Sequence, residues 1–224
     1  WHYVRVLKNF SDEEEKDLIV AKKLVHEGEA AIDIGANVGI YTKILAEQVG
    51  ARGCVYGIEP VPPTFSLLAH CVNKLALSNV KLLNIGISDS NVTVSMTVPA
   101  YADGGDNFYM AHIVTDTPQQ VSQSVFSVKV QTLDSLFSGS DENITFIKCD
   151  VEGHEWPVIR GAGNIIEKLR PAWLIEISAD PENLSSDAHK VFAYLNQKGY
   201  TPYWFDGTTL KKRVAGDKSV NYFF

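Results

Sequence analysis

The sequence contains few cysteines, and no two of them are close together. Cys54, Cys71 and Cys149 are the only cysteines among the 224 residues. Because no C-x-x-C pair is present, their spacing indicates neither a disulfide framework nor a zinc site. Cys54 and Cys149 lie in apolar runs, where a thiol packs as a small hydrophobic side chain, so we expect both to be buried and reduced.

Positive charge and long apolar runs are also scarce. The chain has 20 Lys and Arg residues against 27 Asp and Glu residues, a formal net charge of −7, and no long basic stripe. This balance argues against a nucleic-acid backbone or an anionic membrane as the main partner. No apolar run reaches the roughly 20 residues that span a bilayer, and no signal peptide is recognisable. We therefore expect a cytoplasmic protein without a membrane span, and we interpret Lys211-Lys212-Arg213 as a solvated turn.

The length and hydrophobic content predict one domain. A chain of 224 residues with 45% hydrophobic content can bury one full-sized core but is short for two. No internal repeat or low-complexity linker divides it. We expect a single domain over residues 1–224, with a lead-in and helix at 1–29 and a strand-loop-strand insertion at 91–132.

The stretch AAIDIGANVGIYT, residues 30–42, predicts a strand, a tight turn and a helix. Ala31, Ile32 and Ile34 form a short apolar run that suits a buried parallel strand. A strand, a glycine turn and a helix in this order form the first unit of a nucleotide-binding α/β sheet. Asp33 interrupts the apolar run, and a carboxylate there needs a partner.

The spacing of this turn disfavours a dinucleotide site. A dinucleotide fingerprint reads G-x-G-x-x-G, and its second glycine lets the backbone approach a pyrophosphate. Counted from Gly35, Asn37 replaces the second glycine and Ile40 the third. A ligand that has adenosine but no phosphate, such as S-adenosylmethionine, fits this change. The alternative is a packing turn that any α/β protein could contain.

Polar residues also follow the next two predicted strands. Glu59 comes 20 residues after Gly39, the position of a ribose-binding acid in a βαβ nucleotide site. A carboxylate there can accept hydrogen bonds from both ribose hydroxyls. Ser88 and Asp89 follow the third predicted strand, Val80–Ile87, where they either meet an adenine amino group or form a plain turn.

Two alternating segments enclose a long segment without a pattern. Residues 91–98 and 126–131 alternate apolar and polar side chains, which is typical of antiparallel strands with one solvated face. Residues 99–124 between them show no clear period. Long unpatterned loops in compact domains are usually functional or disordered, so this one is either a substrate lid or a disordered segment.

A second group of chemically active residues follows the fourth predicted strand. The run Lys148-Cys149-Asp150-Val151-Glu152-Gly153-His154-Glu155 places three carboxylates and a histidine at a strand-to-helix junction, where α/β sheets hold ligands. Glu155 is explained by the dipole of the helix that it opens. No further ligand set for a divalent cation is visible beside Asp150 and Glu152, so we predict no metal site.

Three local expectations concern other segments. Residues 1–10 are expected to form an edge strand or a lead-in. Ser11 and Glu14 make a capping box, which predicts a helix starting at Ser11. Asp134 is expected to cap the short helical turn that it opens.

Five segments together resemble the FkbM-type methyltransferases. They read IDIGANVGIYT, GIEP, TLDSL, FIKCDVEGHEWPVIRGA and LIEIS, in this order between about Gly28 and Ser178. The resemblance implies an α/β class I methyltransferase (Rossmann-like) fold, with a mostly parallel seven-stranded sheet and an antiparallel C-terminal strand. It also implies S-adenosylmethionine as cofactor and methyl transfer, usually to a hydroxyl oxygen of a sugar or natural product. The expected partner is thus a small-molecule or glycan acceptor.

The resemblance also assigns roles by position. Around the methionine moiety it places Asp33, Gly35, Asn37 and Gly39. It places Glu59 at the ribose, Ser88 and Asp89 at the adenine, and Asp150 near the sulfonium. Glu152 and His154 are the candidate catalytic residues on the acceptor side, and Glu152 is the preferred proton acceptor.

Two other functions compete with this interpretation. A nicotinamide-dependent oxidoreductase is disfavoured by the missing glycines. A non-catalytic module that binds the cofactor or a partner protein is the second alternative.

Overall fold

The computed structural model describes residues 2–11, 13–99, 112–113 and 123–224. Its helices are α1 (His2–Asn9), α2 (Asp17–Leu24), α3 (Ile40–Val49), α4 (Pro62–Lys74), α5 (Leu133–Leu136), α6 (Glu155–Arg160), α7 (Gly163–Lys168) and α8 (Asp187–Gln197). Its strands are β1 (Ala30–Ile34), β2 (Cys54–Ile58), β3 (Val80–Leu83), β4 (Gly86–Ile87), β5 (Val92–Pro99), β6 (His112–Ile113), β7 (Gln123–Gln131), β8 (Ile144–Cys149), β9 (Ala172–Glu176), β10 (Tyr203–Phe205), β11 (Leu210–Lys212) and β12 (Asn221–Phe223). None of the described helices is long and apolar enough to cross a membrane.

The main sheet has eight strands in the order β11-β10-β12-β9-β8-β1-β2-β3. Strands β9, β8, β1, β2 and β3 are parallel, whereas β12 runs antiparallel to β9. The mostly parallel α/β fold was therefore predicted correctly, with one strand too few. The additional strand is β11, which contains Lys211 and Lys212 and pairs with β10 where we expected a solvated turn. Its side chains are exposed, and lysine is typical of an edge strand, so no apolar pattern reveals it.

A second sheet has the order β4-β7-β5-β6, and β5 pairs antiparallel with β7 as the alternation predicted. The predicted strand 80–87 is divided, since β3 belongs to the main sheet and β4 pairs with β7. Asn84 lies at the division, and its Nδ2 donates to the carbonyl oxygens of Glu59 and Pro60 at 2.9 and 3.0 Å. At these hydrogen bonds the chain leaves β3, which pairs with β2 in the main sheet, and continues into β4 of the second sheet. Most of the segment 99–124, predicted as a lid or a disordered loop, lies outside the described residues.

The core covers both faces of the parallel strands. Every residue of β1 is buried, with Ile32 and Ile34 in the cluster that includes Trp173. Ala31 packs in a separate cluster on the opposite face. Burial on both faces explains why the sequence of this strand is an almost continuous apolar run. Cys149 is buried as expected, but Cys54 is only half-buried.

The N-terminal expectations need two corrections. Residues 2–9 form a helix rather than an edge strand, and it buries Val4 and Leu7 at a spacing of three residues. The next helix begins at Asp17 rather than Ser11. The backbone N–H of Ser11 does contact Glu14 Oε1, at 3.4 Å, but that contact belongs to a turn before the helix.

Asp134 also caps a different helix from the one expected. The N-cap of α5 is Thr132, whose Oγ1 accepts from the Ser135 N–H at 3.0 Å. The Asp134 carboxylate instead accepts from the backbone N–H groups of Asn164 and Ile165 at 2.9 and 3.1 Å. It therefore caps the first turn of α7, 30 residues further along the chain.

Candidate active site

A cleft of about 480 Å³ opens at the carboxyl ends of β1, β2 and β8. Parallel sheets bind ligands at this edge. The predicted residues that line it follow these three strands: Gly35, Asn37, Glu59, Asp150, Glu152 and His154. These residues lie close together, as expected for residues that follow parallel strands of one sheet.

The turn after β1 leaves no room for a side chain at Gly35. This residue has φ +75°, and a Cβ atom there would lie 1.8 Å from the carbonyl oxygen of Asp150. The N–H groups of Gly35 and Ala36 both donate to the Ile58 carbonyl at 3.0 Å, which joins the turn to β2. Asn37 follows in the left-handed region, with φ 49°. The turn thus brings its backbone against the ends of both neighbouring strands.

Glu59 is fixed in the cleft by backbone hydrogen bonds. Its Oε2 accepts from the Asn37 N–H at 3.0 Å, and its Oε1 accepts from the Val61 N–H at 2.9 Å. The residue is 6% exposed, and burial raises the pKa of its carboxyl to about 7. Because each carboxylate oxygen has a second lone pair, the group can still accept from two further hydroxyls.

Asp33 is placed beneath the turn, and it is not among the residues that line the cleft. It is fully buried, and its Oδ2 accepts from the Thr42 hydroxyl at 2.6 Å. Its Oδ1 has no hydrogen-bond partner among the described residues and lies 3.8 Å from Lys148 Nζ. A contact between Asp33 and the cofactor therefore stays a prediction, and the observed geometry connects this carboxylate to α3 and β8.

Lys148 is a buried cation that we did not select from the sequence. Its Nζ donates to Asp150 Oδ2 at 3.0 Å and to the Gly35 carbonyl at 3.2 Å. Burial opposes its charge, but the carboxylates of Asp33 and Asp150 outweigh burial and raise its pKa, so it stays protonated. The signal was available, because a lysine inside an apolar strand needs a partner as much as Asp33 does.

Glu152 lies in a strained turn at the edge of the cleft. It has φ 52°, an uncommon backbone conformation for a residue other than glycine, and Gly153 follows with φ 92°. Strain of this kind often occurs at functional sites. Burial and the nearby Asp150 raise the pKa of the Glu152 carboxyl. Glu155 does not line the cleft, and its Oε1 accepts from the Gly153 N–H at 2.9 Å.

His154 connects the cleft to the predicted adenine-binding pair. Its Nε2 lies 3.0 Å from Ser88 Oγ, and burial lowers the pKa of the imidazole. Asp89 forms an ion pair with Arg160 at 3.0 Å. Neither Ser88 nor Asp89 is among the residues that line the cleft, so their contact with adenine stays a prediction.

Gly39 is also absent from the cleft lining. It precedes α3 with φ +99°, and a Cβ atom there would lie 2.7 Å from Leu68 Cδ1. The positive φ favours glycine at this position, and the missing Cβ also leaves room for Leu68 of α4. Met96, Val130 and Asp187 do line the cleft, and sequence reasoning missed them because they come from the second sheet and from α8. Among the described residues, no group of three or more His, Cys, Asp or Glu side chains could hold a metal ion.

The mostly parallel sheet, the glycine turn after β1 and the acid after β2 define the class I methyltransferase fold. A sequence model described as the methyltransferase FkbM domain matches residues 33–202, which is more than half of the chain. The protein belongs to the FkbM methyltransferase family, as its sequence motifs predicted. The cofactor of this family is S-adenosylmethionine.

Known proteins with similar sequences and folds include other methyltransferases. The hexuronic acid methyltransferase AglP of Haloferax volcanii is 26% identical over 162 residues, which are 71% of this chain and 61% of that protein. The chain thus spans less than two thirds of its relative.

The solved structures that share the fold include the following three. The FkbM methyltransferase of Methylobacillus flagellatus has a TM-score of 0.56 at 15% identity, with 99% of this chain and 58% of that chain covered. An O-methyltransferase of Thermotoga maritima that depends on S-adenosylmethionine has a TM-score of 0.52 at 15% identity, covering 93% and 64%. Fibrillarin of Aeropyrum pernix, solved with S-adenosylmethionine, has a TM-score of 0.52 at 13% identity, covering 93% and 73%. At these identities the likeness concerns the fold.

Proposed function

We propose that this protein transfers a methyl group from S-adenosylmethionine to a hydroxyl oxygen of a sugar or natural product. The observation that carries the proposal is the buried Glu59 carboxylate, held by two backbone N–H groups in the cleft that the Gly35 turn encloses. Family membership supports methyl transfer. A sugar acceptor is supported by the relative AglP, whose name gives hexuronic acid as its substrate.

The residues of the cleft suit an adenosyl sulfonium better than a dinucleotide. No lysine or arginine is among the described residues that line it, so a pyrophosphate would depend on the backbone of the turn before α3, where Asn37 replaces the second glycine of the dinucleotide fingerprint. Carboxylates are present instead, at Glu59, Asp150 and Glu152, and they favour a positively charged ligand. S-adenosylmethionine, when bound, supplies a methyl group on a positively charged sulfur.

Four residues of the cleft then have defined tasks in binding the cofactor. Glu59 accepts hydrogen bonds from the ribose hydroxyls, because its position and its remaining lone pairs suit a diol. Gly35 and Asn37 hold the methionine moiety through the backbone of the turn. Asp150 provides negative charge near the sulfonium. Positioning of the two reactants can contribute roughly 7–11 kcal/mol to the lowering of the barrier, so these binding residues carry most of the catalytic effect.

A hydroxyl acceptor must also lose a proton, and two residues can receive it. Burial raises the pKa of Glu152, which makes this carboxylate a stronger base than an exposed one. Burial lowers the pKa of His154, which keeps the imidazole neutral and able to accept a proton near pH 7. Glu152 is our first candidate, since Nε2 of His154 is already engaged with Ser88. A general base contributes about 10²–10⁴-fold to the rate.

Substitution Glu152→Gln tests this assignment. We expect turnover to fall by about 10²–10⁴-fold, the usual contribution of a general base, while the calorimetric affinity for S-adenosylhomocysteine changes little. Glu155→Gln is the matched control, because it keeps an oxygen that can accept from the Gly153 N–H and does not line the cleft. Parallel losses of affinity and turnover in Glu152→Gln would make Glu152 a cofactor-binding or structural residue.

The two alternatives are separated by binding and activity measurements. Binding of NAD but not S-adenosylhomocysteine would favour a nicotinamide-dependent oxidoreductase. Binding of S-adenosylhomocysteine without labelled methyl transfer to any sugar, lipid or natural product would favour a non-catalytic module. Our proposal requires both cofactor binding and transfer of the label to an acceptor hydroxyl.

A further inference from the structure

Lys148 links the two walls of the cleft on which the proposed cofactor site depends. We infer that Lys148 is a positioning residue: its buried ammonium group holds the Gly35 turn and the Asp150 carboxylate in the arrangement that binds S-adenosylmethionine. The inference rests on the proposed function. It assigns a role to a side chain that does not itself line the cleft.

The contacts of Lys148 are directed at both walls. Its Nζ donates to the carbonyl oxygen of Gly35, in the turn after β1, at 3.2 Å. The same group donates to Asp150 Oδ2, at the end of β8, at 3.0 Å. Strands β1 and β8 are neighbours in the sheet, so one ammonium group spans the point where both strands end. Both partners line the cleft.

The contact with Asp33 is weaker than these two. Lys148 Nζ lies 3.8 Å from Asp33 Oδ1, beyond hydrogen-bond distance, and Asp33 receives its hydrogen bond from Thr42. A lysine that served only to neutralise Asp33 would be expected to approach that carboxylate most closely. The observed distances instead favour the walls of the cleft as its principal partners.

The packing around Lys148 restricts its movement. The residue is 7% exposed, and its Nζ lies 5.3 Å from the ring centroid of Tyr41, close enough for a cation–π contact. Oδ2 of Asp150 accepts from the ammonium group, whereas Oδ1 accepts no hydrogen bond from the part of the chain that the structure describes and can face the cleft. Lys148 therefore determines which oxygen of Asp150 is available near the proposed sulfonium position.

The same contacts explain why the conformation of the Gly35 turn depends on Lys148. Its carbonyl oxygen is anchored by Lys148, and its Cα lies so close to Asp150 that a Cβ atom would collide with the Asp150 carbonyl. Without the ammonium group, the Gly35 carbonyl loses a donor and the carboxylates of Asp33 and Asp150 lose their shared cation. The Asp150 N–H still donates to the Ile34 carbonyl at 3.1 Å, so what is lost is the position of the Asp150 carboxylate and of the Gly35 carbonyl rather than the pairing of the strands.

The test compares Lys148→Met, Asp33→Asn and the double variant. Lys148→Met alone leaves two carboxylates without their cation, so it is expected to fold poorly. The double variant removes the buried charge of Asp33 together with the lysine and is expected to recover much of the melting temperature. Its affinity for S-adenosylhomocysteine is nevertheless expected to be about tenfold or more below that of Asp33→Asn, since the Gly35 and Asp150 contacts are still missing.

Activity measurements separate positioning from stability. Relative to Asp33→Asn, the double variant is expected to have a KM for S-adenosylmethionine that is at least about tenfold higher. Its kcat should change less, because Lys148 supports cofactor binding. Lys81→Met is the control. Lys81 lies on β3, at the edge of the main sheet, and pairs with Glu142 at the surface, so its loss is expected to leave the cofactor affinity unchanged.

The inference is overturned if the double variant binds S-adenosylhomocysteine as tightly as Asp33→Asn does, because Lys148 would then be only a counter-ion for Asp33. Equal losses in Lys81→Met would overturn it too. Failure of the proposed function is distinguishable: wild-type protein would then bind the cofactor but methylate no hydroxyl compound, and the comparison of affinities would still be decisive.

Discussion

Glu59 changes its charge within the neutral pH range. Burial raises its pKa to about 7, and the ionised form is the better acceptor for two ribose hydroxyls. Protonation of Glu59 therefore competes with cofactor binding, and affinity falls as pH falls through this pKa. At pH 6 only about a tenth of the protein would carry the ionised carboxylate, against about nine tenths at pH 8.

We predict that calorimetric affinity for S-adenosylhomocysteine is about tenfold weaker at pH 6 than at pH 8. Proton release on binding should accompany this change, and buffers of different ionisation enthalpy would reveal it. Glu59→Gln should bind weakly at both pH values and lose the dependence. A wild-type affinity that does not vary between these pH values would contradict the role of Glu59.

The hydrogen bond between Thr42 and Asp33 provides a second prediction for single residues. Both side chains are fully buried, and Thr42 Oγ1 donates to the carboxylate at 2.6 Å. Thr42→Val removes the donor and is expected to lower the free energy of unfolding by about 1.5–3 kcal/mol, the range for hydrogen bonds to charged groups. Urea denaturation measures this difference.

Thr64→Val is the matched control for this prediction. Thr64 is also buried, but its Oγ1 has no hydrogen-bond partner among the described residues. Replacement by valine removes an unsatisfied hydroxyl, so the free energy of unfolding should stay the same or increase. Equal destabilisation by the two substitutions would indicate that packing, rather than the hydrogen bond to Asp33, determines the effect at Thr42.

Residues at strand ends could be predicted from the sequence, whereas the contacts between their side chains could not. Gly35, Glu59 and Asp150 all line one cleft, because parallel strands end at the same edge of a sheet. The bond between His154 and Ser88 and the position of Lys148 depend on how β1, β8 and α6 pack. Local patterns carry no information about such contacts between distant residues.

At the scale of elements, the turn between β1 and α3 is the most constrained segment of the site. Gly35 has φ +75° and Gly139, after α5, has φ +74°. Both φ values are positive, so an alanine at either position is strained, by about 1–2 kcal/mol. The two positions differ in the room available for a side chain. Nothing lies within 4 Å of a Cβ atom at Gly139, whereas the Asp150 carbonyl oxygen would lie 1.8 Å from a Cβ atom at Gly35.

We predict that Gly35→Ala abolishes binding of S-adenosylhomocysteine and lowers the melting temperature clearly more than Gly139→Ala does. Gly139→Ala should retain wild-type affinity, since the loop after α5 is not among the described residues that line the cleft. Calorimetry and thermal denaturation of both variants provide the comparison. Wild-type affinity in Gly35→Ala would show that the turn adjusts without loss of the site.

Whether an element could be predicted depended on its apolar pattern. Strands β1, β2 and β8 and helices α3 and α4 have clear patterns, and all five occur where the sequence indicated. The division of the segment 80–87 between two sheets did not follow from its apolar run, because it involves the side chain of Asn84. The short, lysine-containing β11 has no buried face and thus no pattern.

For the whole molecule, the free energy of unfolding should depend on pH, because buried acids take up protons in the folded state. Glu176, at the end of β9, has a pKa raised to about 7, chiefly by burial and then by the nearby Asp150. Between about pH 4.5 and 7 the folded state holds a proton on Glu176 that the unfolded state has released. The free energy of unfolding contributed by this group therefore decreases as pH rises through that window.

We predict that Glu176→Gln becomes more stable relative to wild type as pH rises from about 4.5 to 7. The amide does not titrate, so it avoids the unfavourable ionisation. Urea denaturation of both proteins at several pH values gives the difference directly. A constant difference across this range would show that Glu176 has an ordinary pKa in the folded protein.

The overall architecture was more predictable than the acceptor. A mostly parallel sheet and a nucleotide-type turn follow from apolar runs and glycine spacing, and the motifs led to the correct family. The cleft is lined by side chains from several elements, including Met96 of β5 and Asp187 of α8. Such a surface forms only in the folded chain, so no single segment of sequence identifies its ligand.

In our proposal, the cleft at the carboxyl edge of the sheet binds the adenosyl cofactor through Glu59. A crystal structure of the complex with S-adenosylhomocysteine, grown near pH 8, would show whether it does. We predict that the ribose hydroxyls donate to the Glu59 carboxylate and that the homocysteine moiety lies against the Gly35 turn. Adenosine bound elsewhere, or a ribose without contact to Glu59, would contradict the account.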